Sequence, residues 1–204
     1  MGEPATTAVL LAAGAGTRLG RGPKALLPFH GRPLVEHQIR VLLAGGCRDV
    51  LVVLGAGSTR ILAEADLAGA SPVLNPDWQH GMGTSYRQGM AAAVQLRPSA
   101  VLVALVDQPG LTAAAVSRLR SSWRSGRINA AGYRDGDSRL RRGHPVLFDR
   151  SLAVRSLESG VTGGQDTGAR AFLASHPELV DVTDCSDLAD GRDVDTKADL
   201  VLLD

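Results

Sequence analysis

Four short apolar runs, separated by longer stretches of helical pattern, constrain this chain more than any other feature of its sequence. They are Thr7 to Ala12, Val50 to Leu54, Ser71 to Leu74 and Ala100 to Val106. Such runs read as strands, and when helices intervene between them the strands form a mostly parallel sheet with helices on its faces. Leu34 to Ala44 gathers Leu34, Val35, Ile39, Leu42 and Leu43 near one helical face and stops at Gly45-Gly46. Ser58 to Leu67, Thr84 to Leu96, and a helix capped by Thr112 that runs to Trp123 complete this set. Ile128 to Tyr133 and Val146 to Phe148 then predict two strands joined by the polar turn Asp135-Gly136-Asp137, an antiparallel insertion. A helix over Gly168 to Ser175, a strand over Leu179 to Val182 and a last short helix over Thr196 to Leu203 follow. No linker or repeat divides the chain, so one α/β domain over residues 1–204 is expected.

The 204 residues carry 22 Lys and Arg against 21 Asp and Glu, for a net charge of +1. No global field therefore draws the chain to nucleic acid or to an acidic membrane, and any polyanion must be met locally. Eight arginines fall between Arg118 and Arg142, but they are interleaved with Asp135 and Asp137 and lack an aromatic platform. They read as solvated surface, with Arg141 or Arg142 as candidates to guide an anionic acceptor toward the site. Cys47 and Cys185 stand in no CxxC or Cys/His cluster, which predicts neither a disulfide framework nor zinc, and suggests the cytoplasm. The apolar run Ala8 to Ala13 has Glu3 before it and Arg18 after it, and reads as a buried strand, not a signal segment. No apolar run reaches the roughly 18 residues that would span a membrane.

The first strand leads into Leu11-Ala12-Ala13-Gly14-Ala15-Gly16-Thr17-Arg18-Leu19-Gly20, with Lys24 close behind. Small residues let backbone N–H groups approach an anion, so the loop suits a phosphate cradle; it suits a ligand-free strand-to-helix turn equally well. It is not a dinucleotide fingerprint, because Leu19 stands where the last glycine belongs, and no Gly-Lys-Ser/Thr makes it a P-loop. Arg18 and Lys24 bring two cations to this one loop. Asp107 ends the run Ala100 to Val106, at the carboxyl end of a strand where open α/β sheets bind ligands; it also fits a turn former before Pro109. The five histidines show no zinc spacing.

The run Leu-Ala-Ala-Gly-x-Gly-x-Arg-x-Gly followed by Lys24 resembles the signature of nucleotidyltransferases of the molybdenum-cofactor (MobA-like) type, and more closely their cytidylyltransferase branch. The resemblance continues through Lys24-Ala25-Leu26-Leu27-Pro28 and Gly31-Arg32-Pro33-Leu34, through Asn75-Pro76-Asp77-Trp78-Gln79-His80-Gly81-Met82-Gly83-Thr84-Ser85, and through Gly143-His144-Pro145-Val146. Asp166-Thr167-Gly168-Ala169-Arg170 and Asp193-Val194-Asp195-Thr196 are also similar, with Gln165 in place of glycine and Lys197 in place of proline. The resemblance implies a Rossmann-like three-layer α/β/α nucleotidyltransferase fold.

It implies that Leu11, Ala12, Ala13, Gly14, Gly16, Lys24, Asn75, Gly83 and Ser85 bind the nucleotide, and that Lys24, Arg18 and Asp107 are catalytic. Asp107 and Asp195 would hold Mg²⁺, which takes one or two carboxylates together with water and substrate phosphates. His144, Pro145, Asp166 and Arg170 would meet the acceptor. The implied reaction transfers CMP from CTP to a molybdopterin-type acceptor serving a molybdoenzyme of the xanthine dehydrogenase type. Ala13, where the GTP-using branch has glycine, favours CTP over GTP. Two alternatives stay open: a nucleotidyltransferase for another phosphorylated acceptor, and a non-catalytic accessory protein that hands a bound cofactor to a molybdoenzyme.

Overall fold

In the computed structural model, which describes residues 3–134, 139–159 and 169–204, seven strands form one sheet. They are β1 (Thr6–Ala12), β4 (Asp49–Leu54), β5 (Ser71–Leu74), β6 (Ala100–Leu105), β7 (Ile128–Arg134), β8 (Leu140–Asp149) and β9 (Val180–Asp184), in the order β5-β4-β1-β6-β8-β7-β9. Two-residue strands β2 (Pro28–Phe29) and β3 (Arg32–Pro33) make a separate small hairpin. The pairs β5/β4, β4/β1, β1/β6 and β7/β9 are parallel, while β8 runs antiparallel to both β6 and β7. The expected antiparallel insertion is therefore present, inside a mostly parallel sheet.

Side chains on a strand alternate between faces, so a continuous apolar run is buried on both. Every residue of β1 is buried. Ala8, Leu10 and Ala12 pack on one side with Val35, Ile39 and Leu42 of α1 (Leu34–Ala44), Ile61 of α2 (Ser58–Glu64), and Ala115, Val116 and Leu119 of α4 (Ala113–Ser121). Val9 and Leu11 pack on the other with Tyr86, Met90 and Ala93 of α3 (Met82–Gln95), Leu152 and Ala153 of α5 (Arg150–Ser159), and Phe172 and Leu173 of α6 (Arg170–Ser175). The two clusters make three layers, as the Rossmann-like reading implies. A third cluster of Leu19, Leu27, Phe29, Leu34 and Val194 lies under the first loop and holds the carboxyl-terminal segment against it.

Several expectations are corrected. Helix α2 stops at Glu64 instead of Leu67, and the last helix is a 3₁₀ stretch over Lys197–Leu203. The first loop leads into a 3₁₀ turn at Lys24–Leu26, and no α-helix forms before Leu34. Helix α5 was not expected at all. The strand expected over Val146 to Phe148 starts earlier, at Leu140, so Gly143, His144 and Pro145 lie inside β8. Between the pairs Ala130↔Val146 and Gly132↔Arg142 one residue on β7 faces three on β8, so these three form a bulge. Pro145 has no N–H to give a ladder, which is why the pairing yields there.

Helix α3 approaches the sheet closely at Gly89, where an added Cβ would lie 2.5 Å from Val9 Cγ1 and 2.6 Å from Val53 Cγ2. Alanine favours a helix interior over glycine by about 1 kcal/mol, but overpacking a dense core costs about 1–3 kcal/mol. Two approaches under 3.0 Å put the cost at the upper end of that range, so Gly89→Ala is expected to destabilise the protein by about 1–2 kcal/mol net and lower Tm by about 3–6 °C in a thermal melt. An unchanged or higher Tm would show that α3 can lift from β1 at no cost.

Candidate active site at the sheet switch point

After β1 the chain builds β4 and β5 on one side, then returns to lay β6 on the other side of β1. The carboxyl ends of β1 and β6 consequently lie side by side with their loops diverging, the crevice in which open α/β sheets bind ligands. Val106 N donates to Leu11 O at 3.1 Å, and Ala56 N to Ala13 O at 3.1 Å, which fixes the loop's first residues. A cavity of about 370 Å³ opens here. Leu11, Ala13, Gly14 and Ala15 form one wall, and Leu105, Val106 and Asp107 another. A Cβ built on Gly14 would meet nothing within 4 Å. Its bare backbone faces open cavity, so the fold itself does not demand a small residue there.

Lys24, at the start of its 3₁₀ turn, reaches into the cavity. Its Nζ donates to Asp107 Oδ2 at 2.6 Å and to Asp195 Oδ1 at 2.5 Å. Burial works against the lysine's charge, but the hydrogen bonds to Asp107 and Asp195 outweigh it and hold its pKa above the ordinary value. Among the described residues no group of three or more His, Cys, Asp or Glu is arranged to hold a metal unaided. The donor set at the cavity is two carboxylates on either side of one point, all oxygen, which suits a hard divalent cation that draws its other ligands from water and phosphate.

Asp195 sits far along the chain, and backbone pairing brings it in. Val194 N donates to Asp107 O at 2.8 Å, while the Val194 side chain is fully buried in the third cluster. Gln108 Nε2 donates to Asp193 Oδ1 at 2.9 Å and to Gly191 O at 3.3 Å, and Gln38 Nε2 donates to Gln108 O at 2.6 Å. Helix α1 thus holds the β6 loop, which in turn holds the tail. Burial, and next the charge of Asp107, push the Asp193 carboxyl above its ordinary range. Asp199 accepts from Asp195 N at 3.1 Å and Thr196 N at 2.7 Å, so Thr196 caps the terminal 3₁₀ stretch.

The opposite wall comes from the approach to α3. Trp78, Gln79, Met82 and Ser85 line the cavity. Buried Asn75 shapes this wall from behind: its Nδ2 donates to Thr84 Oγ1 and Ser85 Oγ, both at 2.9 Å, and its Oδ1 accepts from Asp77 N at 3.0 Å. A second cavity of about 570 Å³ shares Leu11 and Met82 with the first. Tyr86 and Phe148 give it an aromatic wall, and Arg142, His144 and Arg170 line it as well. Tyr133 Oη donates to His144 O at 2.7 Å, which holds the β8 bulge. Burial lowers the His144 pKa, with the nearby Asp107 charge opposing.

Leu11, Ala13, Gly14, Lys24, Ser85, Asp107 and Asp195 therefore converge as the sequence reading expected, and His144 and Arg170 meet in the adjoining cavity. Ala12 is buried in β1 and Gly16 lies further along the loop; neither lines the cavity, nor do Asn75 and Gly83. Pro145 belongs to the β8 bulge. Arg18 is exposed and stands apart from the cavity lining. Asp166, with Gln165 and Gly168, lies outside the described residues. Trp78, Gln79, Met82 and Tyr86 were not singled out, although the Trp-x-x-Gly-Met-Gly pattern carried the signal for two of them. Five of the eight arginines between Arg118 and Arg142 form ion pairs: Arg118 with Asp187, Arg120 with Glu3, Arg124 and Arg127 with Asp181, and Arg134 with Asp184.

The family model for the MobA-like NTP transferase domain matches residues 8–180. Nicotine blue oxidoreductase of Paenarthrobacter nicotinovorans is 53% identical over 197 residues, spanning 95% of this chain and 93% of that protein. The crystal structure of Rv0371c from Mycobacterium tuberculosis matches with a TM-score of 0.82 and 27% identity over 100% of this chain and 99% of that one; Rv0371c is also known as a complex with manganese. CTP:phosphocholine cytidylyltransferase from Streptococcus pneumoniae shares the fold, with a TM-score of 0.74 and 18% identity over 96% of each chain. The chain belongs to the MobA-like NTP transferase domain family, a nucleotidyltransferase by family, and it has the fold of those solved structures.

Proposed function

We propose that this protein transfers CMP from CTP to the terminal phosphate of a molybdopterin-type acceptor, with Mg²⁺ as the metal, and releases pyrophosphate. The observation that carries the reading is the pairing of the two cavities at Leu11 and Met82. One has a bare-backbone loop, a lysine and two carboxylates; the other has aromatic walls and two arginines. The first suits a nucleoside triphosphate, and the second suits a flat acceptor that carries an anionic group.

In-line attack by an acceptor phosphate oxygen on the α-phosphorus breaks the bond to the β-phosphate oxygen. The nucleophile is already anionic near neutral pH, so no base is needed, in keeping with a His144 that burial keeps neutral. Catalysis then rests on position and charge. The Gly14 backbone lies against the phosphates and Lys24 neutralises the charge that builds on the leaving pyrophosphate; Arg18, exposed and outside the cavity lining, joins them only by swinging in from the same loop. Trp78, Gln79 and Ser85 bracket the nucleoside, with Asn75 and Gly83 supporting that wall. Arg142, His144 and Arg170 orient the acceptor, with Asp166 and Pro145 nearby in sequence. Asp107 and Asp195 would hold the metal, which would supply Lewis-acid and charge stabilisation to the transferring phosphate. The manganese complex of Rv0371c supports a divalent ion in this fold. By the same reading the product serves a molybdoenzyme of the xanthine dehydrogenase type in the cytoplasm. No helix among the described residues is long and apolar enough to cross a membrane.

The name of the Paenarthrobacter relative favours a second reading, an oxidoreductase acting on a dye such as nicotine blue. Both cysteines are buried and burial raises their thiols, Cys47 to about 12, so neither is the exposed, readily ionised thiol that a redox couple uses. A soluble hydride donor would have to enter the crevice. Pyrophosphate release from CTP, GTP, ATP and UTP, each with and without molybdopterin, is compared with NADH or NADPH oxidation in the presence of nicotine blue. Release fastest with CTP and only with acceptor is expected. Dye reduction without pyrophosphate release would establish the second reading, and neither activity would favour an accessory protein.

Asp107→Ala is expected to cut pyrophosphate release by about 10²-fold or more with an unchanged far-UV spectrum; near wild-type release would refute the metal assignment. Gly14→Val, at an open position, is expected to leave Tm within about 2 °C of wild type while raising the KM for CTP about tenfold or more. A fall in Tm with unchanged KM would mean that the glycine serves the fold and not the ligand.

A further inference from the structure

Lys24 Nζ occupies the point between Asp107 and Asp195 that a metal held by both would occupy. Its side chain is only 15% exposed, and both of its hydrogen bonds run to these carboxylates. We infer that Lys24 is a built-in stand-in cation: its ammonium closes the carboxylate pair in the nucleotide-free protein, and a divalent ion enters only as the ammonium leaves for the triphosphate. This inference rests on the reading of Asp107 and Asp195 as the metal-binding pair.

Two observations separate it from an ordinary ion pair. First, the carboxylates do not depend on the lysine for their placement. The Val194 N–H bond to Asp107 O, the Gln108 bonds to Asp193 and Gly191, and buried Val194 hold the tail against the β6 loop by themselves. With Lys24 removed, two negative groups remain facing one another beside Asp193. Such a cluster is costly without a cation, and the site is left open to an external one. Second, the lysine has a destination. Lys24, Asp107, Asp195 and the Gly14 backbone line one cavity, so a triphosphate that settles against Gly14 brings several negative charges within the lysine's reach. The ammonium can then exchange carboxylate partners for phosphate partners without crossing solvent.

Metal and nucleotide consequently bind as a pair. A free metal ion competes with a covalently tethered cation at high local concentration, so its affinity for the empty protein is weak. A bound triphosphate withdraws the competitor and adds oxygen ligands of its own. By linkage the metal strengthens nucleotide binding in equal measure. A catalytic pocket closed in this way does not accumulate stray divalent ions between turnovers.

The test is Mn²⁺ binding to the nucleotide-free full-length protein, followed by electron paramagnetic resonance of free Mn²⁺ and by the Mn²⁺-induced rise in Tm. Lys24→Ala is expected to bind Mn²⁺ at least tenfold more tightly than wild type and to show the larger rise in Tm. Lys24→Arg, which keeps a cation on a long stem, is expected to bind as weakly as wild type. Lys24→Met preserves the stem without the charge and must behave like Lys24→Ala, which covers the case in which the alanine variant folds poorly. The tightening must vanish in Lys24→Ala/Asp107→Ala. If Lys24→Ala and Lys24→Met bind Mn²⁺ no more tightly than wild type while Asp107→Ala still weakens binding, the stand-in role is overturned and the metal pair survives. If Asp107→Ala leaves Mn²⁺ binding unchanged in both backgrounds, the metal pair itself fails, and the stand-in role with it.

Discussion

Between β1 and β6 the chain changes the side on which it adds strands, and the location of the site follows from that change. Two adjacent parallel strands that lead to connections on opposite sides leave a gap above their carboxyl ends. Because β1 is buried on both faces, its two polar residues, Thr6 and Thr7 at the far end, are tied up by Pro4 O and Asp49, and chemistry begins only where the strand ends. From Ala8 to Ala12 the strand residues are apolar, the loop beyond Ala13 must turn sharply, and the first charged side chain along β6 is Asp107, two residues beyond its last strand residue. Gly89 belongs to the same constraint, since α3 can carry Met82 and Ser85 to the crevice only by lying close against Val9 and Val53.

The charged centre solves a different problem, because its three members come from positions 24, 107 and 195. Covalent proximity does nothing to assemble them. Lys24 arrives through the 3₁₀ turn, Asp107 through the strand end, and Asp195 through a tail paired to the Asp107 carbonyl. Burying Val194 with Leu19, Leu27, Phe29 and Leu34, with Leu200, Leu202 and Leu203 packed against them, gives that tail a small core of its own. Gln38 and Gln108 extend the same support inward. Both are buried polar side chains, and each donates to a partner that belongs to the next layer of the site.

The legible parts of the sequence were those in which one period dominates. The runs at β4 and β6 had no competing reading, the signal-segment reading of the β1 run fell to its flanking charges, and the helix over Leu34 to Ala44 came out residue for residue. Helix α5 was not legible because its sequence, Arg150 to Ser159, spends few positions on the core: only Leu152, Ala153 and Ser156 are buried. The β8 bulge was hidden for the opposite reason. Gly143 and Pro145 look like loop residues, yet flanking pairing with β6 and β7 keeps the segment in the sheet, and the tertiary context prevails. At the site, residue types with a chemical role of their own were legible, as with Lys24 and Asp107. Supporting roles such as those of Asn75 and Gln38 were not, since a buried amide declares its partners only once the fold has brought them together. Arg18 shows the limit of proximity in sequence: it shares a loop with Lys24 but faces outward.

The nearly balanced charge of the chain acquires a spatial meaning from these contacts. Arg118, Arg124, Arg127 and Arg134 are matched by Asp187, Asp181 and Asp184 along β9 and the segment after it. Those pairs lie at the surface, where each is worth little stability; what they do is cancel the field of an arginine-rich stretch. Arg142 and Arg170 line the second cavity instead. A cleft with low-dielectric walls focuses the field of the charges that remain within it, and here those walls are Leu11, Tyr86, Val146 and Phe148. Neutralising the outer arginines therefore leaves the attraction for an anion concentrated at the crevice, beside the point where the carboxyl ends of β1 and β6 diverge.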